Sequence, residues 1–186
     1  MRDELDKALC EKYPDIFVNR HGDPQETLMC WGFEIGDGWY DIIDVACGEM
    51  QNHIDWRNGQ HERAVKFNAM LYKALAGDHT ELDEYVKSTY IEEARKQYKE
   101  KILENGPRPV PEAVNQVIAV QIKEKFGTLR FYFDGGDEFC RGVEAMATSM
   151  SARTCEVCGK PGKKRGASWL YTACDDHTKE SDREDV

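Results

Sequence analysis

The chain has 186 residues, a formal net charge of −10 and a pI of about 5.0. Its length allows one domain, or one domain with a small appended module, and 40% apolar residues are enough for a core. The acidic balance disfavours a protein whose main task is to lie along nucleic acid, since that affinity comes largely from neutralised phosphates, and no stretch approaches the roughly 20 apolar residues of a membrane span.

Arg2-Asp-Glu-Leu-Asp6 has no apolar run behind it, so no secretory leader is expected. Residues 3–13 read as a short amphipathic helix, with Leu5, Ala8 and Leu9 at helical spacing and Pro14 as its stop. After a polar break at 19–25, residues 27–35 read as a strand or extended pair that ends at Gly36-Asp-Gly38. Asp37 is placed to cap the next helix, whose Trp39, Ile42, Ile43, Ala46, Cys47, Met50 and Ile54 form one stripe. Asn58-Gly59 predicts a break. A third helix follows over about 60–76, burying Ala64, Phe67, Leu71, Ala74 and Leu75, with Gly77 closing it. A longer helix runs from Asp78 or Thr80 to about 104 on a thinner stripe of Leu82, Tyr85, Val86, Thr89, Ala94, Tyr98 and Ile102, and is expected to project from the core. Glu92 and Lys96 give it an i,i+4 pair on an exposed face. Asn105-Gly-Pro-Arg-Pro-Val-Pro111 is a stiff connector.

Residues 117–122 and 127–133 then alternate as two strands of a hairpin, with Ile118, Val120 and Ile122 opposite Leu129, Phe131 and Phe133 on the core face. Asp134-Gly-Gly-Asp137 turns the chain and caps a helix over 137–152, whose Phe139, Val143, Met146, Ala147 and Met150 recur at helical spacing. Gly135-Gly136 lacks the Lys and Ser or Thr of a phosphate loop and reads as a turn.

That helix delivers the chain into Cys155-Glu-Val-Cys158, followed after fifteen residues by Cys174-Asp-Asp-His177. Two pairs of soft or borderline ligands, each pair two residues apart, suit one tetrahedral ion, and Cys155, Cys158, Cys174 and His177 are expected to hold a structural Zn2+. Gly159 after Cys158 permits a knuckle turn, Lys163-Lys-Arg-Gly166 reads as a hairpin tip, and Ser168 to Cys174 alternates as a strand does. Asp175 and Asp176 place acids in the first turn of a short helix. Knuckle, hairpin and helix in that order resemble a treble-clef zinc finger. The predicted class is therefore α+β: a mixed body over 1–150 with a helical N-terminal half, and a zinc module over 151–186 packed on it. Of seven cysteines, Cys10, Cys30, Cys47 and Cys140 fall outside the ligand set without close spacing, which together with thiolate ligands suits a reducing cytoplasm.

Cys30-Trp-Gly-Phe33, Gly36-Asp-Gly-Trp39, Ile122-Lys-Glu-Lys-Phe-Gly-Thr-Leu-Arg-Phe131 and Cys155-Glu-Val-Cys-Gly159 resemble recurrent segments of a group of uncharacterised proteins from tailed bacteriophages and prophages. The likeness spans most of residues 28–177, and its least diagnostic part is 60–104. It implies a setting, the bacterial host cytoplasm during infection, and no assigned activity.

For catalysis, His53 with Glu49 on one helical face, and Asp55, His61 and Glu62 nearby, compose a candidate second metal or acid/base site; the alternative is a polar solvent face. Cys30, Cys47 and Cys140 have no histidine paired with them in sequence. A nuclease of the His-metal type would need further histidines in the finger, and His177 is the only one after His79. No enzymatic activity is expected. Two functional readings follow. In the first, an acidic, zinc-held phage protein docks on a bacterial host protein, such as a defence nuclease, through anchors among Trp31, Trp39, Trp56 and Tyr98. In the alternative, Lys160, Lys163, Lys164, Arg165 and Trp169 of the finger contact nucleic acid. The acidic excess lies wholly in residues 1–150, because 151–186 carry equal numbers of acids and bases.

Overall fold

The first helix, α1 (Asp3–Lys12), buries only Leu9 and ends just before Pro14, which offers no backbone donor to a further turn. In the computed structural model, which describes residues 1–87 and 91–182, this helix opens an α+β fold with five α-helices and two small sheets among the described residues. Residues 27–35 are extended only at their end. The Thr27 hydroxyl accepts the Met29 N–H and so starts a 3-10 turn (Leu28–Trp31), which leaves just β1 (Phe33–Glu34) as strand.

Helix α2 (Tyr40–Leu75) runs through Asn58-Gly59, where the sequence predicts a break. A glycine inside a helix costs about 1 kcal/mol relative to alanine. The apolar stripe continues on both sides, from Ile42, Ile43, Met50 and Ile54 to Ala64, Phe67, Leu71 and Ala74, and that burial outweighs the local cost. Leu75, expected inside, is exposed. The long helix expected from 78 to 104 is instead two, α3 (Thr80–Val86) and α4 (Glu92–Asn105), which pack on one another; Thr89 lies outside the described residues.

The hairpin forms as β2 (Ile118–Lys125) and β3 (Thr128–Asp134), with β1 added in parallel through Phe33 opposite Ile122. Its inward set differs from strict alternation. A register irregularity between Ala119 and Gln121 changes the phase of β2, so Ala119 and Ile122 are buried while Ile118 and Val120 are only half-buried. Helix α5 (Glu138–Ser151) lies against β3 and is rotated from the expected stripe. It buries Cys140, Val143, Ala147 and Ser151, leaving Phe139, Met146 and Met150 exposed. Ser151 can be interior because its hydroxyl accepts the Leu129 N–H at 2.8 Å and donates to the Thr148 carbonyl at 2.7 Å.

Beyond α5, β4 (Lys163–Arg165) pairs antiparallel with β5 (Tyr171–Ala173). Lys163 to Arg165, expected at a hairpin tip, are thus strand. The strand read from Ser168 begins only at Tyr171, because Trp169 points to solvent at 71% exposure and the alternation is not used.

The chain divides into two compact units, residues 1–54 with 114–186, and residues 55–113. The first has a core of α1, the start of α2, the three-stranded sheet and α5, around Leu9, Ile43, Trp39, Ile122 and Leu129. The second is helical and closes on Phe67, Leu71, Leu82, Val86 and Ile102. The described part of the cysteine-rich C-terminal segment belongs to the first unit, and residues 55–113 of the 1–150 body form the second.

Candidate metal centre

A tight turn presents the first ligand pair. The Gly159 N–H returns to the Cys155 carbonyl at 2.9 Å, the Cys155 N–H reaches the Lys160 carbonyl at 2.8 Å, and Gly159 takes a φ of +74°, a value that costs a residue with a Cβ. Buried strand β5 brings Cys174 to the same point, and a 3-10 turn (Asp175–His177) carries His177 beside it. The four donor atoms of Cys155, Cys158, Cys174 and His177 all lie within 4.8 Å of one another. Cys158 Sγ is 3.7 Å from Cys174 Sγ, and His177 Nδ1 is 3.6 Å from Cys155 Sγ and 3.3 Å from Cys174 Sγ. A tetrahedral ion at ordinary zinc bond lengths sets sulfurs about 3.8 Å apart and sulfur from nitrogen about 3.6 Å. These residues are therefore positioned to hold a metal ion, and no other group of three or more His, Cys, Asp or Glu among the described residues is so placed.

Burial alone would raise the Cys155 thiol, but backbone N–H groups of Cys174, Cys158 and Val157 directed at its sulfur outweigh that and bring it down to about 6 from 9.0. Cys158 moves the other way. The Lys160 N–H favours its thiolate, yet desolvation and the adjacent sulfurs push it up. A cation at the centre relieves that crowding of sulfur charge.

The knuckle rests on a cradle far away in sequence. Gly36 N–H donates to Glu156 Oε1 at 2.9 Å, Gly38 N–H to the Glu156 carbonyl at 2.8 Å, and the Trp39 indole N–H to the Thr154 carbonyl at 2.8 Å. A Cβ at Gly38 would stand 2.2 Å from the Cys155 carbonyl oxygen, an approach only glycine allows. Desolvation raises the Glu156 carboxyl, opposed by the Gly36 N–H. On the other side Glu156 N–H binds the Thr172 carbonyl, and the Thr172 hydroxyl donates to the Gly127 carbonyl at 2.5 Å, tying β5 to the β2–β3 turn. Trp39 is fully buried, as its place in the apolar stripe predicts, and so is not one of the exposed anchors; the role of Gly36 and Gly38 in seating the knuckle is not expected from their reading as a strand end. Two glycines with one residue between them, directly before a tryptophan, are the signal for it in the sequence.

The cations of the cysteine-rich segment are unequal. Lys160 pairs with Asp176 at 3.1 Å, and Arg165 pairs with Asp175 while its Nε donates to the Ala173 carbonyl at 3.0 Å. Lys163, Lys164 and Trp169 are exposed. His53 and His61 are held by different groups. His53 Nε2 meets Asp137 Oδ2 at 2.9 Å and its ring stacks on Phe139, while His61 Nδ1 meets the Pro111 carbonyl at 2.8 Å. Burial pushes the Cys47 and Cys140 thiols up, away from the thiolate a nucleophile needs. Among the described residues no helix is long and apolar enough to cross a membrane.

Comparison with known proteins finds no matching family model, no matching curated protein and no matching solved structure.

Proposed function

We propose that the ion is a structural zinc, that the module around it is a treble-clef-type finger, and that the chain is a non-enzymatic bacteriophage protein that binds a host protein in the bacterial cytoplasm. The observation that carries this reading is the closed donor set: with Cys155, Cys158, Cys174 and His177 all supplied by the chain, a tetrahedral ion keeps no position for water, so it stabilises structure and does not activate a nucleophile. The acidic excess favours a basic partner surface, such as the nucleic-acid site of a defence nuclease, and the exposed Trp31, Trp56 and Trp169 supply large contact area. The nucleic-acid reading loses support from the pairing of Lys160 and Arg165 with Asp176 and Asp175, which leaves Lys163 and Lys164 as its main charges.

Protein purified without added metal should contain one zinc per chain by elemental analysis, and its removal should unfold the module, since a structural zinc contributes on the order of 10 kcal/mol. Recovered from infected cells, the tagged chain should carry a host protein and no nucleic acid. Replacing Lys160, Lys163, Lys164 and Arg165 with Ala should leave that complex intact. Tight DNA or RNA binding at about 0.15 M salt that this variant abolishes would instead establish the nucleic-acid role.

A further inference from the structure

The helical unit contains a cavity of about 510 Å³, lined wholly by its own residues and within the size range of small-molecule sites. Its floor is apolar: Phe67 and Met70 from α2 and Tyr85 from α3, with the Phe67 and Tyr85 rings edge to face at 5.8 Å. Arg108 closes one side. Its guanidinium carbon lies 3.5 Å from the Phe67 ring centroid, and its backbone N–H and carbonyl are both held by the buried Asn68 side chain at 2.8 Å, so the cation is fixed at both ends. Arg63, one turn before Phe67 on α2, adds a second guanidinium to the lining.

The charges around this floor are not all balanced. Lys66 is paired with Glu62, Glu81 with Lys73, and Glu84 with Lys87, whereas no acid among the described residues pairs with Arg63 or Arg108. Two guanidinium groups beside two aromatic rings call for an anion attached to a flat apolar body. Glu81 and Glu84, each with its own lysine, keep the α3 wall from adding positive charge, so the charge that the two guanidinium groups fit is single.

We propose that this cavity binds a small aromatic carboxylate, its ring lying against Met70 and Tyr85 beside the Arg108–Phe67 stack and its carboxylate held by Arg63 and the edge of the Arg108 guanidinium. The site is independent of the metal centre and of the partner-binding reading.

The probe is indole-3-acetate, titrated into the intact zinc-loaded chain while the Met70 methyl resonance is followed by NMR, with tryptamine and ATP as comparison ligands. Saturable movement of the Met70 signal is expected with indole-3-acetate and not with the amine. Arg63→Gln and Arg108→Gln should each weaken binding at least about tenfold, the loss expected when a charge-assisted pair is removed. Arg108→Gln also removes a group stacked on Phe67, so Arg63→Gln, on a helix surface, is the deciding variant. The proposal is overturned if Met70 does not respond at about 10 mM, where even millimolar affinity is visible. Equal binding of tryptamine, tighter binding of ATP, or full affinity in Arg63→Gln would overturn it too.

Discussion

A methyl group at position 38 probes the metal centre without touching a ligand. In Gly38→Ala the new carbon would meet the Cys155 carbonyl oxygen at 2.2 Å and the Gly159 nitrogen at 2.4 Å, so the knuckle or the cradle must move. The expected cost is about 1–3 kcal/mol, the usual range for overpacking, and a competing chelator should strip the metal at lower concentration than from wild type. Lost stability with unchanged metal retention would mean that the cradle and the ligands are uncoupled. Asp137 supports a second prediction. Its Oδ1 accepts the Phe139 and Cys140 N–H groups at the start of α5 while Oδ2 holds His53. Desolvation would raise this carboxyl, but the His53 contact and the backbone donors together hold it below the ordinary 3.8. A carboxyl depressed in the folded state contributes fully above its unfolded value and loses that contribution as the pH falls through the folded one. Asp137→Ala should therefore destabilise by about 1 kcal/mol at neutral pH, as lost N-caps do. The gap in thermal midpoint should close below about pH 4, and a gap that stays constant into acid would contradict the assignment.

At the scale of elements, α2 offers a test of the continuous helix. A Cβ at Gly59 would meet only the flexible end of Arg63, at 3.1 Å, so Gly59→Ala should raise stability by about 0.5–1 kcal/mol in thermal or urea unfolding; a loss would favour a break at that point. This helix also marks the limit of what the sequence discloses. Asn58-Gly59 is a local signal, and it is overruled by the apolar stripe on either side, whose weight appears only once the partners are in place. The same holds for residues 27–35, where one Thr27 hydroxyl diverts a strand pattern into a 3-10 turn, and for β2, where the irregularity after Ala119 changes which residues face inward. The metal donors were legible because each pair sits on its own short turn and its spacing carries the geometry. Their cradle was not, because the Gly36 to Glu156 contact joins residues 120 apart and nothing near Gly36 refers to a cysteine.

For the molecule as a whole, the net charge of −10 acts at a distance. Replacing the exposed Asp3, Glu4 and Asp15 with Lys should slow association with the proposed basic protein partner several-fold in low salt. The difference should fade as the screening length falls below about 10 Å; an association rate indifferent to both changes would remove electrostatic steering from the picture. The division of the chain has another consequence, in time. Residues 55–113 are contiguous and can complete their helical unit as soon as they leave the ribosome, whereas the first unit needs both 1–54 and 114–186. At about 5–20 residues per second, the 120 residues between Gly36 and Glu156 take roughly 6–24 s to synthesise. Through that interval Met29, Trp39 and Ile43 await the sheet and knuckle that will cover them, so the newborn N-terminal segment keeps apolar surface open for as long as that synthesis takes.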